Sequence, residues 1–229
     1  MTGALDPASA GRPARIGPGR LVLVVGPSGA GKDTLIDAAR RRLAGGDAVL
    51  FPSRVVTRPP SAAEANAEVD AATFATLAKV GGFALSWSAH GHDYGIPIAI
   101  DHLLTEGRTV VCNVSRSVVE TARRRYEAVI VVEITAPPEV LAARVAARAR
   151  ATDGDAAARV ARLVETSALA DVTILNDGPV EGAIRQFLDI VEISDRRPAP
   201  HARPPATDDH ESPLDPAPGA APISTGVSE

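Results

Sequence analysis

Residues Arg20 to Leu35, RLVLVVGPSGAGKDTL, constrain this chain more than any other stretch. Leu21 to Val25 is an unbroken aliphatic run, the pattern of a strand buried on both faces. It leads into Gly26, Gly29 and Gly31, which are free to adopt backbone angles that side chains disfavour. Lys32 follows, and Asp33 to Leu43 reads as a helix with Leu35, Ile36, Ala39 and Leu43 on one side. Strand, glycine loop and helix in that order form a phosphate cradle. Backbone N–H groups and the positive helix end converge on one anion, and Lys32 reaches the outer phosphates. With 19 Gly and only Lys32 and Lys79 as lysines, the spacing G-x-x-x-x-G-K arises by chance about 0.01 times in such a chain. All other members of the 24 basic residues are arginines. One of two lysines therefore sits where a compact charge on a flexible stem suits a phosphate. Gly26, Pro27, Ser28, Gly29, Ala30, Gly31 and Lys32 are expected to hold a nucleotide.

The residue after a P-loop lysine is ordinarily Ser or Thr, whose hydroxyl meets magnesium. Here it is Asp33, with Thr34 next. A carboxylate beside a polyphosphate is repelled unless a cation stands between them. Asp33 and Thr34 are thus the expected Mg2+ ligands, directly or through water. The alternative is an acidic first-turn residue that only complements the helix dipole.

The length of 229 residues suits one domain with tails, or at most two small domains. A net charge of −4, with 23% charged and 45% hydrophobic residues, makes neither nucleic acid nor an acidic membrane a default partner. Cys112 is the sole cysteine, which excludes an internal disulfide and fits a reducing cytoplasm. No run approaches the ~18 apolar residues of a membrane span. Residues 1–19, rich in Ala, Gly and Pro without periodicity, read as a disordered leader. Residues 194–229 read as a disordered tail of Pro, Ala and acidic residues, too poor in large apolar side chains to offset ordering entropy.

Between the tails the pattern is doubly wound α/β. Ala48 to Pro52 is a short second strand, and Ser53-Arg54-Val55-Val56-Thr57-Arg58-Pro59-Pro60 leaves its end with two arginines and hydroxyls placed to face a second substrate. Ser61 to Val69 reads as a mobile loop and Ala71 to Val80 as a helix. Phe83, Leu85 and Trp87 alternate with small residues as in a half-exposed strand, and Tyr94-Gly95-Ile96 returns as its partner after a turn at His90 to Asp93. His90 and His92 have no third ligand of matching type nearby, which favours solvated turn histidines over a metal site. Ile98 to Glu106 (helix), Thr109 to Val114 (strand) and Val118 to Arg125 (helix) follow. Val129 to Thr135 (strand) and Pro138 to Arg148 (helix) come next. Ala156 to Ala170 (helix), Val172 to Leu175 (strand) and Val180 to Val191 (helix) complete the series.

P-loop, arginine-bearing insertion and late arginine-rich segment come in the order seen in nucleoside monophosphate kinases. GPSGAGK resembles the guanylate kinase loop, SRVVTRP that family's acceptor-phosphate segment, and DYGIP its tyrosine-glycine turn. The chain is more similar still to the ribose 1,5-bisphosphate phosphokinases of bacterial phosphonate degradation. Asp33 in the loop, Ala84 to Trp87, His90 to Gly95 and Asn113 to Arg116 match that family's GPSGSGKD-type loop, ALSW strand, HG-x-x-YG turn and N-x-SR segment. The acidic strand end of guanylate kinases looks replaced by Asn113-Val114-Ser115-Arg116, and the acidic-aromatic stretch after TRP by Ser61 to Val69. The likeness covers Arg20 to Ile193.

That resemblance implies a three-layer P-loop kinase domain over 20–193 with a parallel central sheet, an acceptor subdomain near 53–97 and an arginine-rich lid near 148–158. It implies transfer of the ATP γ-phosphoryl group to ribose 1,5-bisphosphate, giving 5-phosphoribosyl 1-diphosphate. It gives Arg54, Thr57, Arg58, Tyr94, Asn113, Arg116 and Arg159 to the acceptor. Arg144 and Arg148 join Lys32 in catalysis, while Arg150 and Asn176 join the ATP site, Asn176 near adenine. Arginines of Ala-rich helices are equally at home as a solvated face, as is Arg116 at a helix start. The rival readings are a guanylate kinase and a catalytically inactive binding module of the same fold, although such modules tend to lose the glycine loop and lysine that are intact here.

Overall fold

The computed structural model describes residues 14–57, 66–149 and 169–193. In chain order they form β1 (Ile16–Val25), α1 (Lys32–Arg42), β2 (Val49–Leu50), β3 (Arg54–Val56), β4 (Asn66–Glu68), α2 (Ala71–Lys79), β5 (Phe83–Ala89) and β6 (His92–Pro97). Then come α3 (Ile100–Thr105), β7 (Thr109–Asn113), α4 (Val119–Arg125), β8 (Tyr126–Thr135), α5 (Pro138–Ala149), β9 (Val172–Leu175) and α6 (Val180–Ile193).

Five parallel strands make the main sheet in the order β2-β7-β1-β8-β9. Leu21 to Val25 of β1 are completely buried at its centre. Their period of two divides them between faces. Val22 and Val24 pack with Leu35, Ile36 and Ala39 of α1, Leu141 of α5 and Phe187 of α6. Leu21, Leu23 and Val25 pack with Ile100 and Leu104 of α3 and Val119 of α4. Each such buried aliphatic stabilises the fold by about 1.5–3 kcal/mol. The result is three layers, helices on both faces of a parallel sheet. Chain order reverses direction across the sheet at β1, with β7 on one side and β8 on the other, so a ligand cleft belongs beyond its carboxyl end.

A second sheet has the order β4-β3-β6-β5. This corrects the reading of SRVVT as a segment that only leaves the end of the second strand. Arg54 to Val56 is a strand, with Val55 and Val56 opposite Gly95 and Tyr94 and Arg54 opposite Asn66. The partners that complete its ladder lie far along the chain, where local pattern has no reach. Gly95 is required here by close approach, because a Cβ there would lie 2.4 Å from the Phe83 ring. Phe83 in turn stacks on Phe74 at 4.5 Å, pinning α2 to the hairpin.

Several boundaries differ from the sequence expectation. β1 starts at Ile16, inside the stretch read as leader, because Ile16 finds a partner in Tyr126. β2 has two residues instead of the five at 48–52. β8 starts at Tyr126, three residues early, directly from the end of α4. The expected helix at 156–170 lies outside the described residues except for Leu169 and Ala170, which are not helical. The lid beyond Ala149 and the tail also lie outside them. Among the described residues no helix is long and apolar enough to cross a membrane.

Candidate active site

A cleft of about 600 Å³ opens between the P-loop and the second sheet, large enough for a nucleotide-sized ligand. Gly26, Ser28, Gly29, Gly31, Lys32, Asp33 and Thr34 form one wall. Arg54, Trp87 and Tyr94 face them, and Asn113, Ser115, Arg144 and Asn176 close the flanks.

The loop wall is built from backbone. Gly26 and Gly31 have φ of 138° and 93°. A Cβ on Gly26 would lie 2.0 Å from the Ile134 carbonyl oxygen, so only glycine lets the chain leave the sheet there. Gly31 caps α1 in the left-handed conformation with no side-chain cap, which leaves first-turn N–H groups for an anion. Lys32 Nζ donates to the carbonyls of Gly26 and Pro27 at 2.8 and 2.9 Å, holding its charge across the loop. Pro27 and Ala30 do not line the cleft. Ala30 is fully buried, and its carbonyl accepts from Asn176 Nδ2 at 2.8 Å.

The opposite wall is built from side chains. Arg54 Nε donates to Asn66 Oδ1 at 3.2 Å, and its guanidinium lies 5.9 Å from the Tyr94 ring centroid. Tyr94 stacks on Trp87 at 5.4 Å with a 6° interplanar angle. Arg54 also comes within 4.0 Å of Asp33 Oδ1. The same oxygen accepts from Asn113 Nδ2 at 2.7 Å. A lysine at a phosphate cradle, an arginine across from it and a carboxylate between them suit transfer of a phosphoryl group to an anionic acceptor.

Comparison with known proteins decides the family. The chain is 59% identical over 171 residues to "Ribose 1,5-bisphosphate phosphokinase PhnN" of Methylobacterium radiotolerans, covering 75% of this chain and 96% of that protein. It belongs to the ribose 1,5-bisphosphate phosphokinase PhnN family. The PhnN protein of Rhodopseudomonas palustris is 56% identical over 185 residues, covering 81% and 93% of the two chains. No protein-family model matches the chain. Among solved structures, guanylate kinase from Anaplasma phagocytophilum shares the fold, with a TM-score of 0.56 at 18% identity over 79% of this chain and 88% of that one.

Other residues singled out in this PhnN-family sequence are distributed as follows. Thr57 does not line the cleft. Its hydroxyl accepts from Asp93 N at 2.9 Å and ties the end of β3 to β6. Arg116 is also absent from the lining and pairs with Glu133, a carboxylate only 3% exposed in β8. Asn176 borders the cleft, but its side-chain amide braces the P-loop, where a Cβ on Gly31 would lie 2.5 Å from it. Arg144 Nη1 donates to the Asn176 carbonyl at 3.0 Å, which joins α5 to this brace. Nothing is described for Arg58, Arg150, Arg159 or the Arg148 side chain, which lie outside the described residues. Among the described residues no group of three or more His, Cys, Asp or Glu is arranged to hold a metal, His90 and His92 included.

Three participants escaped sequence reasoning. Glu133 carried a signal, a charge inside the apolar run VIVVEIT. Trp87 was read only as strand, and Asn66 sits in a segment read as loop. Cys112, next to Asn113, is buried and does not line the cleft. Burial pushes its thiol up to about 12, with Arg54 pulling weakly the other way, so the thiolate nucleophile is absent near neutral pH.

Proposed function

We infer that the chain catalyses ATP-dependent phosphorylation of ribose 1,5-bisphosphate to 5-phosphoribosyl 1-diphosphate, a step of phosphonate degradation. The observation that carries this reading is 59% identity to a PhnN protein over 96% of that protein's length. An intact glycine cradle facing Arg54 across one cleft supports it.

In this reaction an oxygen of the acceptor's 1-phosphate attacks the γ-phosphorus of ATP. The bond from that phosphorus to the β,γ-bridging oxygen breaks, and ADP leaves. The attacking oxygen is already anionic near neutral pH, so no general base is needed. Alignment and charge neutralisation supply the catalysis. In our reading the N–H groups of Ser28 to Lys32 hold the β-phosphate, and Lys32 follows charge onto the γ-phosphate. Arg54 holds the acceptor phosphate, steadied by Asn66 and the Tyr94 ring. Arg144 acts from α5, with Arg58, Arg148, Arg150 and Arg159 as further candidates. Asp33 and Thr34 offer the hard oxygen donors that Mg2+ takes, and both border the cleft. A bound Mg2+ would neutralise charge on the transferred phosphates. The substrates are small molecules, and the expected compartment is the cytoplasm.

The test is ADP release from ATP and Mg2+ with ribose 1,5-bisphosphate or GMP as acceptor. Robust turnover with the sugar bisphosphate and little with GMP is expected. The reverse preference would make the chain a guanylate kinase. No turnover with either, together with tight peptide binding, would make it an inactive module.

A further inference from the structure

In P-loop nucleotide enzymes magnesium is held by a hydroxyl from the loop and an Asp from a separate segment. Here the carboxylate sits on the loop instead of on the separate segment. The loop position carries the carboxylate, Asp33, and the end of β7 carries a carboxamide, Asn113. The two are in direct contact, Asn113 Nδ2 donating to Asp33 Oδ1 at 2.7 Å. Asn113 is opposite Val24 in the β1–β7 ladder, so the strand that delivers the P-loop also sets this contact.

We propose that Asp33 and Asn113 form an exchanged magnesium-positioning pair, in which Asn113 acts on the metal through Asp33 and is not an acceptor contact. The inference rests on the nucleotide-site reading above. Among the described residues the hydrogen bond from Asn113 and the 4.0 Å approach of Arg54 both fall on Oδ1. In the proposed pair the neutral amide fixes the carboxylate plane through Oδ1, and Oδ2 is the oxygen assigned to the metal. A carboxylate at 113 beside Asp33 would instead place two negative charges at hydrogen-bond distance, which forces a shared proton or separation. One carboxylate and one amide donor is therefore the required set, and which residue carries which is free to exchange.

The experiment measures affinity for a non-hydrolysable ATP analogue by calorimetry, with Mg2+ and with a chelator, and needs no acceptor. Its outcome is thus separate from the identity of the acceptor, which the ADP assay addresses. Asp33→Asn should remove the Mg2+-dependent gain in affinity, a loss of tenfold or more. Adding Asn113→Asp to Asp33→Asn should restore the gain to within a few fold of the parent. Asn113→Ala alone should weaken it several fold while leaving affinity in chelator unchanged. The proposal is overturned if the folded double variant binds as weakly as Asp33→Asn. It is equally overturned if Asn113→Ala raises the acceptor KM and leaves the Mg2+-dependent gain intact. Thermal unfolding identifies folded variants, and Asn113→Ala decides the matter if the exchanged pair does not fold.

Discussion

The two walls of the cleft are held by different forces. On the P-loop side, the buried run Leu21 to Val25 and three positive-φ glycines present backbone N–H groups, to which Lys32 adds a side-chain charge. On the second-sheet side, Asn66, Arg54, Tyr94 and Trp87 hold one another through a hydrogen bond, a cation–π contact and a ring stack. The first wall is pre-organised by the fold and the second by mutual packing. Damage to the first should therefore appear in turnover, and damage to the second in acceptor recognition and local stability.

The largest effect expected is that of Lys32→Ala. Removing the charge proposed to follow the migrating phosphoryl group should lower kcat/KM by about a hundredfold to a thousandfold. Its melting temperature should stay near that of the parent, because the Gly26 and Pro27 carbonyls that accept from its ammonium belong to the same loop. A variant that kept near-normal turnover would remove the nucleotide wall's assigned role.

Arg116→Ala sharpens the contrast from the other side. It strands Glu133, whose side chain is 4% exposed against 30% for Arg116. Urea unfolding should show a loss of about 2 kcal/mol, below the full cost of breaking a wholly buried pair because Arg116 is partly solvated. Arg116→Ala combined with Glu133→Leu should recover most of it. A raised acceptor KM with no stability loss would return Arg116 to the acceptor clamp.

Trp87→Leu removes the Tyr94 stack, worth about 0.5–1.5 kcal/mol. The acceptor KM should rise about fivefold while the ATP KM stays constant. Equal changes in both would show that the two walls are not independent.

The smallest effect lies in the alkaline limb of stability. Cys112 is raised from 9.0 to about 12 by burial, and Tyr126 is raised by burial and by its bond to Asp101. Both hold their protons more tightly folded than unfolded. Their contribution is complete below pH 9 and is lost as pH climbs toward the folded values. The Cys112 share of that loss should be on the order of 1 kcal/mol by pH 9.5, and Cys112→Ala should flatten that limb of the urea-midpoint profile.

The P-loop was legible because its physics is contiguous: an apolar run buried on both faces, glycines where backbone must turn, and one lysine in an arginine-rich chain. Trp87 and Tyr94 were visible as a hairpin, but their stacked rings follow from cross-strand register. β3 was missed because its ladder partners are Asn66 on one side and Gly95 and Tyr94 on the other. Thr57 and Arg116 were matched to acceptor roles by motif, whereas the contacts described for them, which tie the end of β3 to β6 and β8 to the segment after β7, come from distant parts of the chain.

By itself, the order of residues determined a backbone grip of the kind that suits phosphate at Gly26 to Lys32, since glycine freedom and a helix start are local properties. Only the tertiary structure decided what stands across from that grip and which charges neutralise each other. Asp33 meets Asn113 eighty positions away, and Asn176 braces Ala30 from one hundred and forty-six. Such pairings depend on sheet order and strand register, which the chain specifies only through the collective burial of its two apolar faces.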